Sequence, residues 1–362
     1  MPTTRHRIAL IPGDGIGQEV IPPATAILDA VGRRHGLAFT YETFDWSCER
    51  HAAEGAMMPP DGLMRIRAHD AILLGAVGWP GVPDHVSLWG LLIPIRREFE
   101  QYVNMRPISV FDGVRSPLKD ALPRGVDGGV DGGVDLVIVR ENSEGEYSTI
   151  GGRFGHGEGE FALQESVFTR TGIRRIAEFG FALAEERRCR LVAATKSNGI
   201  VHTMPFWDQV VDECAAAHPD VTWHLEHIDA LAAKMVLQPG DFDVVLGSNL
   251  FGDILSDLAA AVAGSIGIAP SANLNPSGER PSMFEPVHGS APDIAGQGVA
   301  NPLGAIWSAS MMLDHLGHRD AGAEVLQAIR ASLRDGYLTR DLGGTTSTAQ
   351  MTRAVLDRLG AH

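Results

Sequence analysis

Residues 243–257 read DVVLGSNLFGDILSD, and the change of period inside this stretch decides what kind of chain it belongs to. Val244-Val245-Leu246 is an apolar run of strand length, and the residues after it open into a helix. A buried strand feeding a helix through a short turn is half of a repeating α/β unit. On that helix Asp253 and Asp257 stand four apart, so their carboxylates leave the same face. Such a pair suits a hard divalent cation, Mg²⁺ or Mn²⁺. It equally suits a helix start, where acidic side chains cap amides and complement the dipole.

Outward from this stretch the alternation continues. Upstream, Asp135–Val139 is a strand ending at Arg140-Glu141-Asn142, Thr171–Arg188 a helix, and Leu191–Ala194 a strand ending at Thr195-Lys196-Ser197-Asn198. A helix at Met204–Ala217, a strand at Thr222–Ile228 ending at Asp229, and a helix at Ala230–Leu237 follow. Polar residues with chemical potential recur at strand ends, where open α/β sheets bind ligands. Glu144–Phe161, rich in glycine, reads as an excursion or hairpin arm.

Nearer the start, Arg7–Leu10 is a strand leading into Pro12-Gly13-Asp14-Gly15-Ile16-Gly17 and a helix to about Arg34, its first turns kinked by Pro22 and Pro23. The glycines fall as GxGxG, not as the GxGxxG of a dinucleotide fingerprint. Phe39–Phe44 and Ala71–Val77 are strands, with a helical stretch at Gly62–Arg67. Leu88–Tyr102 is helix-like, started or broken at Pro94, and ends at Asn104–Pro107. The tandem GVDGGVDGGV (125–134) reads as a surface loop without chemistry, and Gly264–Asn275 as a loop. Helices at Pro302–Leu316, Ala321–Leu333 and Thr348–Leu359 finish the chain.

Composition sets the outer bounds. The 362 residues are 44% hydrophobic and 21% charged, as in a globular protein of two domains or one large α/β unit. A formal net charge of −15 argues against nucleic acid or an anionic membrane as a partner. No apolar run reaches the length of a membrane span, and the first residues lack a signal peptide's pattern. Cys48, Cys189 and Cys214 are widely spaced, as free thiols of a reducing cytoplasm would be. Only Lys119, Lys196 and Lys234 among 30 basic residues are lysines, and a lysine can give up its proton where arginine cannot.

The usual catalytic motifs, GxSxG, GxxxxGK[ST] and HExxH, are absent. His224 and His227 fall on opposite faces of a strand and will not chelate one ion. What remains is Arg96, Arg106 and Arg140 with Tyr147, Lys196, Asp229, Asp253 and Asp257. Taken singly, each arginine suits a surface ion pair and Tyr147 suits packing. As a set, arginines can clamp a small dicarboxylate, aspartates can hold a divalent ion, and Lys and Tyr can transfer protons.

Six motifs, IPGDGIG (11–17), RREFEQYVNMRP (96–107), VRENSEGEY (139–147), ATKSN (194–198), NLFGDILSD (249–257) and EPVHGSAPDIAGQGVANP (285–302), occur in one order. In these the chain resembles the β-decarboxylating hydroxyacid dehydrogenases, the family of isopropylmalate and isocitrate dehydrogenases. The resemblance implies a two-domain α/β fold with a mixed sheet, distinct from the Rossmann fold. It implies a discontinuous large cofactor domain, residues 1–102 and 265–362, and a small domain, 103–264, with the substrate and metal residues and the dimer interface.

By the same resemblance Arg96, Arg106 and Arg140 hold substrate carboxylates, and Asp253 and Asp257 bind Mg²⁺ or Mn²⁺, with Asp229 of a second subunit completing the site. K⁺ is an accessory ion. Lys196 is the base side, also acting across the homodimer, and Tyr147 protonates the enolate after CO₂ leaves. The dinucleotide lies along Asn198, His288, Gly289, Ser290, Ala291, Asp293 and Asn301. An acidic Asp293 facing the ribose favours NAD, since it accepts from a 2′-hydroxyl and repels a 2′-phosphate.

The segment GAVGWPGVPDHVSLWGLLIPIRRE (75–98) resembles the tartrate and D-malate dehydrogenase (decarboxylating) branch. There Trp89 and Leu92 meet the substrate's variable group, and Trp89 fills space that an isopropyl group would need. The implied substrate is a small 2-hydroxydicarboxylic acid, D-malate or tartrate. A 3-isopropylmalate dehydrogenase is the alternative, and an isocitrate-type activity or a catalytically silent subunit stands behind it.

Overall fold

The computed structural model describes residues 3–118 and 133–360. The GVDGGVDGGV repeat, except Gly133 and Val134, and Lys119 lie outside the described residues. Strand β1 (Thr4–Gly13) shows how the core is laid out. Its side chains alternate, as a pleated strand requires. Ile8 and Leu10 join the core under the long helices, while Ala9 and Ile11 join a smaller core with Trp46, Ile95 and Phe99 on the other face. Strand β3 (Ala71–Ala76) divides likewise, Leu73 to one core and Ile72 and Leu74 to the other.

Ten strands form one sheet. With β2 (Leu37–Thr43), β4 (Val103–Ser109), β5 (Asp135–Glu141), β8 (Arg190–Thr195), β9 (Thr222–His227), β10 (Val244–Gly247), β11 (Pro270–Leu274) and β12 (Ser282–Pro286), the order is β2-β1-β3-β12-β11-β4-β5-β10-β8-β9. Both flanks are parallel, whereas β12-β11, β11-β4 and β4-β5 are antiparallel. The sheet is therefore mixed, and the fold is α/β without the Rossmann strand order. Strands β4, β5, β8, β9 and β10 come from residues 103–264, and the other five from the chain before and after. The two sets meet only at β11-β4.

Three expectations need correction here. Gly264–Asn275 is not a loop, because it holds β11, all of whose residues are buried. Asn104–Pro107 is the body of β4 rather than a helix end. The helix-like stretch is a π-helical turn, Leu88–Leu92, then an α-helix at Ile93–Glu98 with Pro94 in its first turn, so it stops before Tyr102. The central strands hid because they carry Asn104, Arg106, Ser271, Asn273 and Glu285, a polar pattern unlike a buried strand's. Pro107 is tolerated in β4 because pairing with β11 ends at Met105.

The helix Gly17–His35 runs through Pro22 and Pro23 without a break. Helix Leu303–His315 is buried on nearly every side, as its apolar circumference demands. The arm is a hairpin of β6 (Gly151–Phe154) and β7 (Phe161–Gln164), with Phe154 stacked on Phe161 and both exposed. Cys48, Cys189 and Cys214 are free thiols. Among the described residues no helix is long and apolar enough to cross a membrane.

The turn after β1 ties the segment around Ser290 to the sheet. Ile16 N donates to Ser290 O at 2.8 Å, and Asp14 accepts from Cys48 N and Gly78 N, each at 3.0 Å. Gly15 has φ +55°, and a Cβ there would stand 2.1 Å from Ser290 O. Gly15→Ala therefore combines left-handed strain with a backbone clash, and should cost about 2–4 kcal/mol, read as a lowered urea midpoint. An unchanged midpoint would mean that the 288–291 turn yields freely.

Candidate active site

Three arginines reach one point from three elements. Arg96 is on the helix Ile93–Glu98, Arg106 is in β4, and Arg140 is the last residue but one of β5, just before the chain leaves the sheet toward Tyr147. Facing them is the helix Asn249–Ala263, capped by Ser248 and by Glu146, whose carboxylate accepts from Ser248 Oγ at 2.7 Å and Leu250 N at 3.1 Å. Leu255, Ala259 and Val262 bury one face of that helix, which turns Asp253 and Asp257 toward the arginines. Gly252 permits the approach, since a Cβ there would lie 2.5 Å from Arg140 Cβ.

The resulting contacts form one network. Asp253 Oδ1 accepts from Arg140 Nη1 and, at 3.4 Å, from Arg106 Nη2, while its Oδ2 accepts the Tyr147 hydroxyl at 2.7 Å. Asp257 accepts from Arg106 Nη1 at 3.2 Å, and Arg96 Nη2 donates to Glu285 at 3.1 Å. Arg140 also gives Nε and Nη2 to Asn249 Oδ1, at 3.1 and 2.7 Å, and its guanidinium lies 5.5 Å over the Tyr147 ring.

Burial governs the protonation states. Arg140 is only 2% exposed, and burial, with Arg106 and Arg96 beside it, lowers its pKa to about 10 against the opposing pull of Asp253. It stays charged at neutral pH. Burial and the bond to Asp253 raise the Tyr147 hydroxyl to about 12, so it is a proton donor there. Burial alone would raise Asp253, but Arg140, Arg106 and the Tyr147 hydroxyl outweigh it and hold the carboxyl low. Asp257 goes the other way, raised chiefly by burial.

Lys196, Asp229 and Asn198 gather elsewhere. Lys196 Nζ bonds Asp229 at 2.6 Å, with the Asp229 side chain 68% exposed, and Asn198 lies 3.5 Å from the His227 ring. Among the described residues no three His, Cys, Asp or Glu of one chain could hold a metal. The carboxylates of Asp253 and Asp257 offer the hard oxygens that Mg²⁺ or Mn²⁺ takes, so the residues of one chain fit such an ion in kind while falling short of a full shell.

The cofactor candidates His288, Ala291, Asp293 and Asn301 line, with Ile294, a cavity of about 990 Å³. His288 Nε2 is buried there without a hydrogen-bond partner among the described residues, and burial lowers the ring's pKa. A neutral imidazole with an unspent nitrogen suits a base edge. Asn301 is held by Asp341 at 3.0 Å; Ser290 is buried and Gly289 exposed in the stretch before the turn at 292–296. Asp293 is exposed on the rim. Trp89 lies on the π-helical turn with Arg97 5.2 Å over its ring, and Leu92 packs on the smaller core.

Sequence reading missed Asn249, Glu146, Ser256, Glu285 and Asp341. Asn249 alone carried a signal, four residues before Asp253 on the same helix face.

A sequence model described as isocitrate/isopropylmalate dehydrogenase matches residues 7–355. The tartrate dehydrogenase/decarboxylase of Pseudomonas putida is 52% identical over 369 residues, covering 99% of each chain. The D-malate dehydrogenase [decarboxylating] of Escherichia coli (strain K12) is 51% identical over 358 residues, covering 96% of this chain and 97% of that one. Among solved structures, the isocitrate dehydrogenase from Methylococcus capsulatus superposes with a TM-score of 0.86 at 33% identity, covering 98% of this chain and 99% of that one.

Asn249 is the side chain that satisfies two of Arg140's nitrogens in the buried network. Asn249→Ala should destabilise the protein by about 2–3 kcal/mol, because it leaves a buried charge short of partners. Urea unfolding measures this, and a loss below about 0.5 kcal/mol would show that Arg140 finds another acceptor.

Proposed function

Because the chain belongs to the isocitrate/isopropylmalate dehydrogenase family, we propose that it oxidises a small 2-hydroxydicarboxylic acid with NAD⁺ and Mg²⁺ or Mn²⁺. The proposed reactions are D-malate to pyruvate and CO₂, and the oxidation of tartrate. The chain is an oxidoreductase of the decarboxylating type. The observation that carries the substrate class is the convergence of Arg96, Arg106 and Arg140 on the face that presents Tyr147, Asp253 and Asp257. Three guanidiniums on one small site call for more than one carboxylate. Residues 1–102 and 265–362 are the cofactor domain in this reading, and 103–264 the domain with the substrate and metal residues.

The protein's own part is binding and proton handling. The arginines orient the two carboxylates, and Lys196 of a second copy takes the proton of the 2-hydroxyl. When bound, the divalent ion supplies Lewis-acid polarisation and NAD⁺ accepts the hydride. Loss of the far carboxyl as CO₂ leaves an enolate, and the Tyr147 hydroxyl delivers a proton to its carbon. D-Malate dianion and NAD⁺ thus give pyruvate, CO₂ and NADH, with hydrogen and charge in balance. The acidic Asp293 on the cavity rim supports NAD⁺ over NADP⁺.

The dimer reading rests on the exposed Lys196–Asp229 pair, which makes none of the contacts of the arginine network, and on the bare apolar hairpin arm. K⁺ enters only as an accessory ion.

With Mn²⁺ and K⁺ present, kcat/KM for D-malate or tartrate should exceed that for 3-isopropylmalate by about a hundredfold, roughly 2.7 kcal/mol. The reverse order would show that Trp89 does not close the pocket and would make this a leucine-pathway enzyme. Chelation should abolish turnover and Mn²⁺ restore it.

Lys196→Met and Tyr147→Phe should each be inactive and folded. Refolded together in equal amounts, they should recover up to about a quarter of wild-type activity, since half the dimers then hold one intact site. Absence of recovery would place Lys196 and Tyr147 in the same chain's site.

A further inference from the structure

The antiparallel join of β11 and β4 carries a layer of buried polar side chains that none of the proposed chemistry uses. At its centre Asn273 is fully buried between Ala272 and Leu274, and the register sets it directly opposite Asn104. Its Oδ1 accepts from Asn104 Nδ2 at 3.0 Å and from Asn142 Nδ2 at 2.9 Å. Its Nδ2 donates to Glu285 Oε1 at 2.7 Å. The same Glu285 oxygen takes Arg96 Nη2 at 3.1 Å. On the other side, Asn104 also donates to Ser271 Oγ at 2.8 Å, which leaves its Oδ1 to accept Arg106 Nε at 2.9 Å.

Donors and acceptors therefore run in one direction through the layer. Asn273 can satisfy Glu285 on one side and Asn104 on the other with only one orientation of its amide. Reversing that amide would set a donor against a donor and an oxygen against a carboxylate. Arg96, on the helix Ile93–Glu98, and Arg106, in β4, belong to the two parts of the chain whose strands meet only at this join. Arg96 Nε, buried and unpartnered among the described residues, remains free for an anion.

We propose that Asn273 is a positioning residue for hydroxyacid binding: the amide layer centred on it fixes Arg96 relative to Arg106, and so the spacing of carboxylates that the site accepts. The inference rests on the reading that these two arginines hold the substrate. An apolar residue would fill the position, as Ala272 and Leu274 fill theirs, but would leave three polar partners unsatisfied and the guanidiniums free to turn.

Asn273→Asp tests this, because it keeps the acceptor oxygen that serves Asn104 and Asn142 and replaces the amide nitrogen, which donates to Glu285 and at 3.4 Å to Met283 O, with a second oxygen. A protonated carboxyl can still donate as the amide does, whereas an ionised one faces Glu285, with Arg96 beyond it and Arg106 reached through Asn104. Between pH 6 and pH 9 the KM of the variant for its hydroxyacid should rise about tenfold relative to wild type, with kcat within about twofold. The Kd for NAD⁺ in the same preparations should not move. Combining Asn273→Asp with Glu285→Gln restores a donor to the pair and should remove the pH-dependent rise.

A KM that follows wild type at every pH overturns the proposal, as does an NAD⁺ Kd that shifts in step with KM. If the single variant does not unfold cooperatively, the double variant decides: a KM raised about tenfold at pH 6 as well as pH 9 would also overturn it. The substrate is whichever hydroxyacid the wild type turns over most efficiently. An unexpected preference there defeats the D-malate and tartrate reading and leaves the role of Asn273 to be judged by the variants.

Discussion

Burying three guanidinium groups beside the middle of a sheet is the constraint on which the rest depends. An unpaired charge in that setting costs several kcal/mol, and each arginine repels the others. Arg140 shows the strain, since burial and its two cationic neighbours hold its pKa near 10. Asp253, Asp257 and Glu285 offset the charge, and Asn249, Ser256 and Asn104 take up further donors of Arg140 and Arg106. A buried ion pair adds little net stability, so this arrangement reads as provision for an anion rather than for folding strength.

The sheet is built around that provision. Its flanks are parallel, and their inner strands β3, β8 and β10 are apolar and buried, as in α/β proteins whose strands are covered on both faces. Its centre is antiparallel and polar, because Arg106, Asn104, Asn273 and Glu285 must sit on adjacent strands to satisfy one another. This division also marks what could be read from sequence. Strands β1, β3, β5, β8 and β10 were legible from apolar runs. Strands β4, β11 and β12 were not, since their polar residues fit a buried strand only once the partners are known.

The site divides in the same way. Asp253 and Asp257 were legible because four residues along a helix define a face without further knowledge. Arg96 and Glu285 are 189 residues apart, and Arg140 and Asn249 are 109 apart. No local period links such pairs, so Glu285 was invisible and Asn249 showed only its spacing to Asp253, although both hold the arginines. The six ordered motifs named the arginines, Tyr147 and Lys196 by resemblance, a warrant of a different kind from spacing. The structure adds that Lys196 and Asp229 form a group of their own.

The arginines also resolve an apparent electrostatic conflict. A chain of net charge −15 should repel a dicarboxylate at long range. At physiological ionic strength, however, the screening length is about 8 Å, so distant surface carboxylates contribute little at the site. What an approaching anion meets is set by the groups within that distance. There Arg96, Arg106 and Arg140 stand among Asp253, Asp257 and Glu285, with Tyr147 still protonated. Arg96 shares its carboxylate with Asn273 and keeps one nitrogen unspent. The low dielectric around buried groups strengthens these short contacts relative to anything on the surface. Selectivity for an anion in so acidic a protein is therefore a local property, and it depends on holding a few guanidiniums in fixed places.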